Sequence, residues 1–304
     1  MDQGSEELSG APISPGPGGV SRRLDEVSLR LNILSMATAP AGPGTLDIAP
    51  ELKDRKSIKL MAKQDCLALL AAAQAVRGAH LTAPELRSQT GIYLTVGILP
   101  FEEQHLHVLA ENSTTAGRFD MKRFSTDGLS STNPILTFKC LPNMPLFHIS
   151  YNLGIQGPYF VTYPGPSQFF GALECALADL KSEKVRFALV GAVADQENFL
   201  VRHHVRRAGF RDPQRLRDVA CMMIVTLDPS RPGRAKMTAF KSSYSPVDPF
   251  SSEFLPGPSH ALDFEAGPAE PLLVMKNALD SDTRNLSFRY EDGVTAELSL
   301  EAVR

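Results

Sequence analysis

Residues 142–193 read PNMPLFHISYNLGIQGPYFVTYPGPSQFFGALECALADLKSEKVRFALVGAV, and this pattern predicts a strand, a sharp turn, a helix and a second strand. Tyr159 to Tyr163 is aromatic and β-branched, which suits a strand. Pro164, Gly165 and Pro166 must interrupt it. Pro166 fits the first turn of a helix, where its missing N–H is not needed. Phe170, Leu173, Leu177 and Leu180 then recur at helical spacing as one apolar stripe. Lys181 to Lys184 ends that helix in solvent. Val185 to Val193 is almost continuously apolar, as in a strand buried on both faces.

Around this unit the chain alternates in the same manner. Met1 to about Arg23 is rich in Gly, Pro and Ser and reads as a disordered leader over 1–23, followed by one domain over 24–304. Val27, Leu29, Leu31 and Ile33 alternate with polar residues, which predicts a half-buried strand. Lys56 to Val76 reads as a helix and Ile92 to Leu99 as a strand. Residues 100–131 are polar and weakly periodic and receive no assignment. Asp218 to Leu227 and Ala235 to Lys241 read as further strands. Ser242 to Glu270 is rich in Pro and Ser. Two β-type runs around Asp292-Gly293 predict a hairpin with a tight turn.

Composition narrows the function classes. With 304 residues and 43% hydrophobic content, the chain can bury a sizeable core. A net charge of -3 gives no general attraction to nucleic acid or an anionic membrane. No apolar run is long enough to span a bilayer, and no secretory signal pattern opens the chain. Cys66, Cys140, Cys175 and Cys221 are widely spaced, which argues against a zinc site or disulfide framework and fits a reducing cytoplasm. No cofactor motif such as a phosphate-binding glycine loop is present.

The 142–193 stretch resembles the nucleophile region of the β-ketoacyl synthases, whose pattern runs roughly N-x-x-[AS]-G-x-[IL]-[SA]-x-x-x-G-x-x-G-P, then a strand, then the active-site Cys at a helix start. Asn143, Ser150, Gly154, Gly157 and Pro158 match at the right spacing. RKSIKLM resembles the basic run of the family's early helix, and RNLSFRYEDGVTAELSLE resembles its C-terminal N-S-F-G-F-G-G-T-N segment, with Glu291-Asp292 in place of part of the glycine loop. The resemblance covers about Val27 to Lys241 and the final twenty or so residues. It implies a thiolase-like α/β fold from which most of the second half is deleted.

The resemblance also implies a loss of chemistry. The nucleophile slot holds Pro166, after Gly165, and a one-residue slip would place Gly165 there. Condensation needs a thiolate to carry the acyl chain, and neither residue supplies one. The family's two catalytic histidine motifs have no counterpart, because the only histidine between Ser242 and Glu270 is His260, in SHALDFEAG. What the resemblance implies is a non-catalytic subunit similar to the chain-length factors of type II polyketide synthases, which pair with an active ketosynthase and work with an acyl carrier protein. Family dimers form through the strand after Gly-Pro, here Tyr159, Phe160, Val161, Thr162 and Tyr163. The segment before the Asn motif, with Leu136 and Phe138, would reach the partner's acyl tunnel. Lys56 and Lys59 match positions used for carrier docking, although ordinary surface lysines explain them equally well.

Competing sites carry less. Ser167 could serve an acyl hydrolase or transferase on this scaffold, but the second glycine of G-x-S-x-G is absent, and a residue bonding locally at the helix start is the simpler reading. A scaffold that binds the carrier without shaping a tunnel is a further alternative. Cys175 reads as a small core residue and His148 as structural. His203 and His204, with Asp195 and Glu197, lack the spacing of a metal site. Arg202 to Arg217 reads as a solvated basic face that could meet an acidic partner.

Overall fold

The computed structural model describes residues 30–40, 46–207, 215–245, 265–281, 284–290 and 292–303. The leader, Val27, Leu29 and His260 lie outside the described residues. The main elements are β1 (Leu31–Pro40), α1 (Lys63–Ala79), α2 (Ala83–Ser88), β2 (Thr90–Val96), α3 (Glu103–Asn112), α4 (Pro134–Lys139), α5 (Met144–Leu153), β3 (Tyr159–Thr162), α6 (Gln168–Lys181), β4 (Phe187–Ala194), α7 (Phe199–Arg207), β5 (Val219–Thr226), β6 (Ala235–Tyr244), α8 (Glu270–Asp280), β7 (Asn285–Arg289) and β8 (Val294–Ala302).

The strands form one eight-stranded sheet in the order β3-β2-β4-β5-β1-β6-β8-β7. β3 and β4 run parallel to β2 on either side of it. From β4 to β7 every pairing is antiparallel. The chain therefore builds a mixed α/β core first. The hairpin β7–β8 joins it late in the sequence through β6. This is the predicted hairpin, and Gly293 at its tip has φ of 87°, a left-handed conformation natural to glycine.

Two apolar layers cover the sheet. One places Phe170, Leu173 and Leu177 of α6 and Met275 of α8 against Ala188, Val190, Met223 and Val225. The other places Leu67, Ala71 and Ala75 of α1 and Ile149 of α5 against Ile92, Leu94, Leu189, Met222 and Ile224. Odd and even positions of β4 and β5 thus face opposite layers, which explains why both strands read as continuous apolar runs. Fully burying a large aliphatic or aromatic side chain contributes about 1.5–3 kcal/mol, so the α6 stripe and its counterparts dominate the stability.

Two expectations need correction, and one unassigned stretch acquires structure. Lys56–Val76 is not one helix: Arg55–Leu60 is a 3-10 turn, and α1 starts only at Lys63. Ala62 between them is extended, and its N–H is taken at 2.6 Å by Asp65, which reaches back as a cap. Pro166 precedes α6 instead of opening it, since the helix starts at Gln168. Residues 100–131, unassigned from sequence, contain α3, which buries none of its side chains, a hairpin pairing Thr114–Thr115 with Arg118–Phe119, and helical turns from Met121 to Ser131. An amphipathic period is weak where no face is buried.

Candidate functional site

The matched motif residues have local physical reasons to be where they are. Gly154 ends α5 with φ of 76°, a left-handed C-terminal position that favours glycine. The Gly154 and Ile155 N–H groups both donate to the Ser150 carbonyl, and the Ser150 hydroxyl donates to the Ile155 carbonyl at 2.7 Å. At Gly157 a Cβ would collide with the Thr90 carbonyl, so only glycine lets the chain pass this close to β2. The Ile92 N–H then donates to the Pro158 carbonyl at 2.9 Å and starts the parallel ladder between β2 and β3. Thr95 and Thr162 link the two strands by their hydroxyls at 2.8 Å.

Directly after β3 the chain turns through Pro164, Gly165, Pro166 and Ser167 into α6. Ile98, Pro164 and Gln196 each stand two residues beyond the end of β2, β3 and β4, and all three line one cavity of about 320 Å³. Gly165, Pro166, Ser167, His204, Tyr290 and Asp292 line it too. A crevice at the carboxyl ends of parallel strands is where open α/β sheets place their ligands. The turn through Gly165, Pro166 and Ser167 therefore faces this cavity.

Ser167 is buried and does not cap α6. Its hydroxyl instead donates to the Asp292 carboxylate, on the tip of the β7–β8 hairpin. This corrects the expectation of a local bond. It also differs from a nucleophilic triad, in which the hydroxyl gives its proton to an imidazole. Beside it the Tyr290 hydroxyl donates to Glu270 at 2.9 Å, in the buried joint between the hairpin and α8. Asp292 and Tyr290 were not legible as site residues, because nothing local links them to Ser167.

The other candidates lie away from this cavity. Leu136 is buried on α4 and lines a second cavity, of about 640 Å³, together with Lys59, Lys63 and Asp195. Phe138 turns outward and packs edge-on against Phe147, with ring centres 6.4 Å apart. Lys56 and Lys59 are exposed. Tyr159, Phe160, Val161 and Thr162 form β3, the edge strand of the sheet, and Tyr163 follows directly. Tyr159 is 68% exposed and Phe160 39%.

Lys63 holds two buried carboxylates, Asp195 and Asp218, each at 2.7 Å. Burial pushes the Asp195 carboxyl up to about 6, against the pull of Lys63. Between α1 and α5, Asp65 and His148 face each other at 3.9 Å, almost wholly buried. Burial raises Asp65 to about 7 and lowers His148 to about 4. Cys175 is half-buried on α6 and packs against the core. Among the described residues no group of His, Cys, Asp or Glu is placed to hold a metal ion, and no helix is long and apolar enough to cross a membrane.

Comparison with known proteins supplies the family. Residues 44–215 match the β-ketoacyl synthase N-terminal domain. No curated protein matches the chain by sequence. Among solved structures, the apo AntDE:AntF complex, a type II polyketide synthase acyl-carrier protein with its ketosynthase bound to the hexaketide, aligns over 90% of this chain and 100% of that chain. Its TM-score is 0.67 at 10% identity. The ishigamide ketosynthase/chain length factor aligns over 90% and 100%, with a TM-score of 0.61 at 15% identity. A β-ketoacyl synthase from Burkholderia phymatum aligns over 91% and 100%, with a TM-score of 0.64 at 10% identity. These likenesses establish a thiolase-like ketosynthase fold. With more than half its length matched by the family and its Gly154 and Gly157 turns built as the motif requires, the chain belongs to the β-ketoacyl synthase family.

Proposed function

We propose that this chain is a non-catalytic, chain-length-factor-like subunit that pairs with a Cys-bearing ketosynthase in type II polyketide or polyene biosynthesis. One observation supports the reading: the turn after β3 faces a cavity, and the position that the resemblance aligns with the nucleophile is Pro166. Proline offers no nucleophile, and its φ is fixed near -65°. Without a thiolate the acyl chain has nothing to be loaded on.

Pairing would use β3. A sheet edge with free backbone groups and exposed aromatic side chains is a template for another strand, and Tyr159, Phe160 and Tyr163 present such a face. Leu136 would border the acyl tunnel of the pair. Lys56 and Lys59 would meet an acidic acyl carrier protein. On this reading 24–304 is one truncated ketosynthase-like domain after a leader, working in the cytoplasm.

The test is condensation itself. The chain alone, supplied with malonyl-loaded carrier protein, should neither decarboxylate nor extend it, and Pro166→Cys should not restore either step. The same assay with an active ketosynthase added should give product. Turnover by the isolated chain would overturn the reading.

A further inference from the structure

The cavity at the elbow contains a charged group that pairing with a ketosynthase leaves unexplained. Asp292 Oδ1 accepts the Val294 N–H at 3.2 Å within its own turn, and Oδ2 accepts the Ser167 hydroxyl. A carboxylate has about four acceptor positions, so Asp292 keeps capacity toward the cavity it lines. Among the described residues no Lys or Arg lines that cavity. Ile98, Pro166, Val201 and Pro268 make much of the remaining wall apolar, and His204 adds one imidazole from α7. The volume of about 320 Å³ falls in the range of small-molecule pockets.

We propose that this cavity binds a small amphipathic ligand with a protonated amine head and a short apolar body. The head would lie on Asp292 and the body against the proline and valine wall. A carboxylate-bearing group would meet the Asp292 charge and be disfavoured. The proposal does not depend on pairing with a ketosynthase, because every group it uses belongs to this chain.

Calorimetric titration of the full chain at pH 7 with n-hexylammonium, n-hexanol and n-hexanoate tests it. Hexylammonium should bind at least tenfold more tightly than hexanol, with hexanoate weakest. Asp292→Asn keeps an acceptor for Ser167 and removes the charge, so hexylammonium should fall to the level of hexanol. Ser167→Ala and His204→Asn should keep the order of the three ligands, as should Glu301→Gln, a charge control on the exposed end of β8. In the wild-type chain, NMR should show the Val294 and Ser167 amides shifting with hexylammonium, a readout that needs no variant to fold. Hexanoate binding as tightly as hexylammonium, a preference that survives in a folded Asp292→Asn, or an absence of hexylammonium binding at millimolar concentration would each overturn the proposal.

Discussion

The Ser167 hydroxyl donates to the Asp292 carboxylate across 125 residues of chain, and so ties the hairpin tip to the elbow turn. A hydrogen bond to a charged group contributes about 1.5–3 kcal/mol. Ser167→Ala should therefore lower the stability by about 1–2 kcal/mol. Asp292→Ala should cost at least as much, because it also releases the Val294 N–H. A double-mutant cycle by urea denaturation should return a coupling of about 1 kcal/mol or more. Additive effects would mean that the two side chains do not meet.

Asp65 makes stability depend on pH. Its carboxyl is raised from an ordinary 3.8 to about 7 by burial, so the folded state holds the proton more tightly than the unfolded chain. The contribution of that neutral carboxyl is complete below about pH 4 and is lost as pH rises through 7. Asp65→Asn keeps an acceptor for the Ala62 N–H and cannot ionise. It should match the wild type near pH 4 and melt several degrees higher at pH 8. His148, lowered to about 4, works in the opposite sense: its contribution is complete above 6.5 and is lost as pH falls through 4. Parallel melting curves for wild type and Asp65→Asn from pH 4 to 8 would contradict this account.

Leu136 is buried and lines the second cavity. If that cavity borders the acyl tunnel of the pair, side-chain bulk there limits chain growth, because packed interiors do not stretch to admit extra methylenes. Leu136→Ala should lengthen the products of a reconstituted pair and Leu136→Phe should shorten them, as read by mass spectrometry. Wild-type product distributions from both variants, with dimerisation intact, would remove the tunnel role.

The sequence made some of this legible and hid the rest for physical reasons. β3 could be read from its aromatic and β-branched residues, and α6 and β4 because their apolar patterns reflect burial on one stripe or on both faces. The β7–β8 hairpin could be read because Asp292-Gly293 is local turn chemistry. The break before α1 was hidden, because the extended Ala62 is specified by a side chain three residues later, inside an otherwise helical run. α3 escaped because it buries no side chain. The Ser167–Asp292 bond and the meeting of Leu136 with Lys59 at one cavity are long-range juxtapositions with no local signal. The single sheet through β6, β8 and β7 likewise appears only when the strands are paired.

The most direct test of the central claim is co-expression of this chain with a Cys-bearing ketosynthase from the same source, followed by size-exclusion chromatography with light scattering. The account predicts a 1:1 complex that is lost in Val161→Pro, which places a proline in β3 and blocks strand pairing, and weakened in Phe160→Asp. A stable monomer that ignores the ketosynthase, or a complex indifferent to both substitutions, would contradict it.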